Sequence, residues 1–186
     1  MSIGNPGVKR ATTRILVIGG SSVLAPLVVQ ELRRGHEVVA VTRKHDHLSA
    51  IESGTGVLRV VVADAQTSKG VATIAAAGPF DAAAIYVPAT DDLLLGDLVG
   101  HVSGRSVLVA TSAVANPDAG SPLPMAMEAI RPRTQDVVVV LGWEGLASQT
   151  RWHSPTEISV AVARALDNGE DCVVGRLRPW DQRPRA

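Results

Sequence analysis

Residues 14–44, RILVIGGSSVLAPLVVQELRRGHEVVAVTRK, carry an apolar run, Ile15 to Ile18, straight into a turn of small residues, Gly19-Gly20-Ser21-Ser22. Leu24, Leu27, Val28 and Leu32 then recur at helical spacing and form one apolar stripe. Pro26 falls in the first turn of that helix, where few N–H groups are needed. Gly35 stands just past its end, where backbone turns left-handed. A second apolar run, Val38 to Val41, follows. This strand–turn–helix–strand unit of about 30 residues has the size of a βαβ mononucleotide-binding module. Its turn aims backbone N–H groups and the positive end of the helix at one point, where an anion can sit. A phosphate-bearing ligand is therefore expected, with a dinucleotide as the best candidate.

Further apolar runs occupy 57–62, 82–87, 107–110, 137–141 and 172–174. Most are continuous rather than alternating, the pattern of strands buried on both faces of a parallel sheet. Residues 66–77 and 91–99 predict short helices between them. Ser154-Pro155-Thr156-Glu157 predicts a firm helix start: Ser154 caps, Pro155 fits the first position, and Glu157 reaches back to the cap. That helix runs through Ile158, Val162, Ala165 and Leu166 to Asn168-Gly169. Residues 115–124 are broken by Asn116, Pro117, Gly120, Pro122 and Pro124, leaving a short helix over Met125 to Ile130. The expected fold is α/β, a doubly wound parallel sheet of about seven strands in three α/β/α layers, the Rossmann arrangement. One domain over 14–177 is expected, with a flexible N-terminal tail at 1–13 and a C-terminal tail at 178–186.

Composition narrows the partners. With 18 basic and 18 acidic residues the chain carries no charge footprint for nucleic acid. One phenylalanine, one tyrosine and three tryptophans give no base-stacking platform. No run of 18 apolar residues exists to span a membrane. The start, MSIGNPGVKRATTR, has no apolar signal segment. The single cysteine, Cys172, has no partner for an internal disulfide and reads as a small buried hydrophobe. These features predict a cytoplasmic protein whose partner is a small molecule. No metal constellation appears; His45-Asp46-His47 reads as a solvated helix start. No G-x-S-x-G elbow appears either.

The phosphate turn keeps one glycine of three. The frame is Gly19-x-x-Ser22-x-x-Ala25, with Ser22 and Ala25 where glycines usually stand. A hydroxyl at Ser22 can donate to phosphate. The turn residues expected at the pyrophosphate are Gly19, Ser21, Ser22, Val23 and Leu24. After the second strand a carboxylate would favour NAD by bonding the ribose 2′-hydroxyl. Thr42-Arg43-Lys44 stands there instead, and two cations suit a 2′-phosphate, so NADP is expected over NAD. Asp64 and Ala65 follow the third strand; Asp64 either accepts from the adenine amino group or caps the next helix.

These residues resemble the short-chain dehydrogenase/reductase superfamily, in its atypical branch, over roughly 14–177. Leu141-Gly142-Trp143 and Arg151-Trp152-His153-Ser154-Pro155-Thr156-Glu157-Ile158-Ser159 resemble segments of a group of small proteins of that type. The resemblance implies a nicotinamide cofactor, contacts from Val87 and Pro88 after strand four, a substrate-binding role for Ser112, and cover for the nicotinamide at Trp143. Relatives are often dimers or tetramers, which implies a possible homo-oligomer. The chain departs from the superfamily at its Tyr-x-x-x-Lys pair. Its one tyrosine, Tyr86, lies on the fourth strand, residue 90 is Thr90, and the lysines are Lys9, Lys44 and Lys69.

Ligands of an open parallel sheet sit beyond the carboxyl ends of the strands. Candidate catalytic residues are then Ser112, Tyr86 and Glu144. Tyr86 is either a polarising acid or a core tyrosine with its hydroxyl at the rim. Glu144 is either a loop charge or an acid/base desolvated by Trp143. His153 is a base or a structural residue. The expected function is an NADP-dependent oxidoreductase acting on a small carbonyl or imine. The alternatives are a non-redox isomerase, cyclase or lyase, and a nucleotide-sensing protein without catalysis.

Overall fold

The computed structural model describes residues 12–44, 54–87, 92–120, 122–145 and 149–184. Seven parallel strands form one sheet: β1 (Arg14–Ile18), β2 (Glu37–Thr42), β3 (Val57–Val62), β4 (Ala82–Val87), β5 (Ser106–Thr111), β6 (Val137–Leu141) and β9 (Cys172–Val174). Their order is β3-β2-β1-β4-β5-β6-β9. β7 (Trp143–Glu144) and β8 (Arg151–Trp152) pair separately as an antiparallel ribbon. The helices are α1 (Ala25–Arg33), α2 (Ser68–Ala75), α3 (Asp92–Gly100), α4 (Leu123–Ala129) and α5 (Pro155–Asn168).

The continuous apolar runs are the central strands, and each is covered on both faces. In β1, Ile15 and Val17 face the cluster built with α1 and α5, through Leu27, Val28, Ile158 and Val162. Leu16 and Ile18 face the opposite cluster, through Val71, Ile74, Leu95 and Leu98 of α2 and α3. Strand β3 lies at the sheet edge and is only half-buried in alternation. The chain lays β1, β2 and β3 outward in one direction, then returns to the other side of β1 with β4. That reversal opens a crevice at the carboxyl ends of β1 and β4, where such sheets bind ligands.

Helix starts account for several boundaries. Thr67 caps α2, its hydroxyl accepting from Gly70 N at 3.0 Å, so α2 begins two residues inside the expected span. Ser154 and Glu157 form the expected capping box at α5. Helix α1 has no side-chain cap of its own. Its Leu27 N–H instead donates to Ser159 Oγ of α5 at 3.1 Å, in a buried contact. A donor that a helix start ordinarily leaves open is thus taken by the neighbouring helix.

Three features were not legible beforehand. The broken segment after β5 forms two short 3-10 turns, Ser112–Ala115 and Pro117–Ala119, before α4 begins at Leu123 rather than Met125. The β7–β8 ribbon is too short for any period to show. The stretch expected as a C-terminal tail is attached in part: Trp180 opens a 3-10 turn and its ring lies 6.0 Å from that of Trp143. The expected N-terminal tail, up to residue 11, and the His45-Asp46-His47 helix start lie outside the described residues. Cys172 is half-buried in β9, and burial, with Asp171 beside it, pushes its thiol pKa up, as suits an inert hydrophobe.

At the amino ends of β5 and β6, away from the crevice, Asp136 is fully buried. Its Oδ1 accepts from Ser106 N at 3.2 Å and from Arg133 Nη2 at 2.8 Å. Arg133 also donates to the carbonyls of Val102 and Gly104, at 2.6 and 3.0 Å. One guanidinium thus closes three loop ends over a buried carboxylate. Arg133→Ala leaves that charge without its cation and is expected to cost about 3 kcal/mol, measured by denaturant unfolding. A loss no larger than an ordinary surface substitution gives would contradict this account.

Candidate functional site

The crevice contains a cavity of about 210 Å³ lined by Gly19, Ser21, Arg43, Asp64 and Tyr86, with Gln66 at its side. The turn after β1 shapes its floor. Gly19 has φ of +94°, and a Cβ there would lie 3.0 Å from Cβ of Tyr86. Glycine is needed both for the turn and for the close passage of β4.

The turn closes largely on itself. Ser22 N and Leu24 N both donate to Gly19 O, at 3.1 and 3.0 Å, and Ala25 N donates to Ser22 O. With Leu27 N taken by Ser159, the amides of Gly20, Ser21 and Val23 have no acceptor among the described residues. This corrects the expectation for Ser22 and Leu24. The Ser22 amide is spent inside the turn, though the residue still lines the cavity. Leu24 is fully buried in the core under α1 and offers a ligand nothing. Val23 packs its side chain on the same core and contributes only its backbone.

The end of β2 presents the cations as expected. Thr42 is buried, and its Oγ1 donates to Lys44 O at 2.9 Å and accepts from Lys44 N at 3.2 Å. That small ring holds Arg43 and Lys44 outward as exposed residues. Among the described residues neither makes an ion pair. Ser21, Thr42, Arg43 and Lys44 share a second, polar depression beside the cavity. Thr42 was missed in the sequence, although its place before two cations was a signal. Asp64 Oδ1 accepts from Gln66 N at 3.0 Å, forming a turn of its own, while Thr67 caps α2. The choice left open for Asp64 resolves against the cap, and Ala65 and Gln66 follow it along the cavity wall.

The three catalytic candidates do not line one cavity. Tyr86 lines the cavity next to Gly19, half-buried, and burial raises its phenol pKa above the ordinary value. Ser112 is buried at the start of a 3-10 turn after β5 and does not line that cavity. Glu144 lines a separate depression with Gly145, Gln149 and Arg176. Its side chain is 54% exposed, so the indole of Trp143 does not desolvate it as expected. Trp143 itself is 1% exposed, with Trp152 and Trp180 edge-on at 6.4 and 6.0 Å. Its ring is the centre of an aromatic cluster, not an open surface for a cofactor. Val87 ends β4, and Pro88 lies outside the described residues.

No helix among the described residues is long and apolar enough to cross a membrane. No family model matches the chain, and a search of curated proteins finds no match. Solved structures do match. L-sorbose reductase from Gluconobacter frateurii, complexed with NADPH and L-sorbose, aligns with a TM-score of 0.65 at 14% identity, over 90% of this chain and 97% of that one. The bulky-bulky ketone specific alcohol dehydrogenase from Comamonas testosteroni gives 0.64 at 14% identity, over 88% and 86%. A short-chain dehydrogenase from Sphingobium yanoikuyae in complex with NADPH gives 0.62 at 14% identity, over 91% of each. Sheet order, switch point and these alignments agree: the chain has the Rossmann-like fold of the short-chain dehydrogenases and reductases.

Proposed function

We propose that this protein binds NADP(H) in the crevice beside β1 and reduces a small carbonyl or imine substrate. The observation that carries the reading is the cavity itself: Ser21, whose amide has no acceptor among the described residues, and Arg43 line it, Lys44 shares the adjoining depression with both, and neither cation has an ion-pair partner among the described residues. A backbone turn that offers donors, next to a charge that has no protein partner, fits a ligand with phosphates at both places. The residues present therefore fit the dinucleotide. The Ser21 and Val23 amides would take the pyrophosphate, with the hydroxyls of Ser21 and Ser22 beside them. Arg43 and Lys44 would take the 2′-phosphate. Asp64 Oδ2 has no donor among the described residues and would accept from the adenine amino group.

When bound, the reduced nicotinamide supplies a hydride to the electrophilic carbon, and the substrate heteroatom takes up a proton. Among the described residues no lysine is placed to lower the phenol of Tyr86, and burial raises it. Tyr86 stays protonated and can hold a substrate oxygen by donating a hydrogen bond. It is a poor source of the proton itself. An imine suits such a site better than a ketone, because it enters already protonated from solvent. The solved neighbours that carry NADPH support the cofactor by fold alone.

That Tyr86, Ser112 and Glu144 do not line one cavity favours a second reading, a nucleotide-sensing protein that binds the same ligand without turnover. NADPH consumption with a panel of small aldehydes, ketones and cyclic imines separates the two. Oxidation of NADPH supports the reductase; tight binding without oxidation across the panel supports the sensor.

Arg43→Ala is expected to weaken NADP(H) about tenfold or more while leaving NAD(H) within a small factor, since a charge-assisted contact contributes about 1.5–3 kcal/mol. Fluorescence titration with both nucleotides measures this, and an equal loss for both would remove the 2′-phosphate assignment. Tyr86 is the only tyrosine, so the ultraviolet absorbance of tyrosinate reports it alone. Burial predicts a titration midpoint above the ordinary 10.0 of a phenol. A midpoint below that value would show an activated phenol and restore Tyr86 as the proton donor.

A further inference from the structure

Beyond the crevice, the β7–β8 ribbon meets the start of α5 at a group of side chains with an unexplained geometry. The His153 side chain is 5% exposed, and among the described residues neither of its ring nitrogens has a hydrogen-bond partner. Its Nδ1 lies 3.7 Å from Glu144 Oε2 and 3.7 Å from Glu157 Oε2. Those distances are too long for hydrogen bonds. They are close to the spacing of two ligands across one ion, each about 2.0–2.2 Å from it. One donor atom from each of the three residues lies within 4.8 Å of the others.

The ring is held in this orientation from behind. Gly175 has φ of +76°, and a Cβ there would come within 2.2 Å of His153 Nε2. The imidazole therefore rests against bare backbone at Gly175, with Nδ1 turned toward the two carboxylates. A buried imidazole normally satisfies at least one nitrogen, because an unpaired polar atom away from water is costly. This one is unpaired and aimed between two acids.

We propose that Glu144, His153 and Glu157 form a binding site for one divalent transition-metal ion of the Zn²⁺ type. One imidazole and two carboxylates match the ligand preferences of such ions, and three protein ligands leave a position for water. The spacing in sequence, nine residues and then four, is no metal signature; the ribbon and the α5 cap bring the three together.

Arg151 explains how the site stays intact without an ion. Its guanidinium donates to Glu157 Oε1 and Oε2 at 2.7 and 2.8 Å and lies 3.7 Å from Glu144 Oε2. Ser154 N and Ser154 Oγ also donate to Glu157 Oε2, at 2.8 and 2.9 Å, and fix the carboxylate at the start of α5. Arg151 is 54% exposed, and its side chain can swing into solvent. The ion and Arg151 thus compete for one pair of carboxylates. A bound ion would pin the two ribbon strands to α5, next to the Trp143 cluster. The site shares no residue with the cavity beside β1, and the inference is independent of the nucleotide reading.

Isothermal titration calorimetry of the untagged full chain with Zn²⁺, and with Mg²⁺ as a hard-cation control, tests the proposal. One Zn²⁺ per chain is expected, bound more tightly than Mg²⁺. His153→Gln is expected to weaken Zn²⁺ by roughly a hundredfold, and Glu144→Gln, at an exposed position, by about tenfold. Arg151→Gln is expected to strengthen it, because the competing cation is gone. That gain is not something a merely destabilised fold would show. Zn²⁺ affinity unchanged in His153→Gln would mean adventitious binding at the other histidines, and would overturn the site. Absence of binding to the parent chain, or an Arg151→Gln variant that binds no more tightly, would overturn it as well.

Discussion

Strand β1 is the member on which the arrangement depends. It is hydrogen-bonded along both edges, to β2 and to β4, and covered on both faces by helices. Leu16 and Val17 point to opposite sides and are both fully buried. A strand so enclosed can end only where its neighbours stop covering it. It does so at Gly19, where a positive φ and the close passage of Tyr86 leave no space for a side chain. The crevice exists because the sheet order reverses at this strand, and every candidate for nucleotide contact is placed relative to it.

The turn after β1 shows how a motif can be kept while its donors are redistributed. Glycine-rich turns present several free amides to a phosphate. Here Gly19 O takes two of them, and Ser159, reaching from the far helix, takes the Leu27 amide. The end of β2 is ordered differently: the hydroxyl ring of Thr42 with the Lys44 backbone leaves Arg43 and Lys44 exposed.

The region after β6 is organised on a different basis. Trp143 is buried between two other tryptophans, and Trp180 is stacked under Arg183 with its guanidinium 4.7 Å from the ring centre. Backbone bonds in both directions between Trp143 and Arg176 tie the segment after β9 to the ribbon. These contacts join the C-terminal stretch to the carboxyl end of the sheet. They also fix the frame on which Glu144 and His153 face Glu157.

The amino-acid sequence by itself determined the parallel sheet and its strand count, because continuous runs such as Val137 to Leu141 fit only strands covered on both faces. It also determined the capping box at Ser154, since that signal is local and chemically specific. The position of Arg43 and Lys44 just past the end of β2 was legible as well, because the apolar run stops at Thr42. Only the tertiary structure decided what happens between distant segments. It spent the Ser22 amide within the turn, buried Leu24 and Trp143, left Glu144 in solvent, and placed Ser112 outside the cavity that Tyr86 lines. None of these outcomes has a period or a spacing. Each depends on which side chain arrives from elsewhere in the chain, as Ser159 does at α1 and Gly175 does behind His153, and burial and pairing at a given atom are settled only when those partners meet.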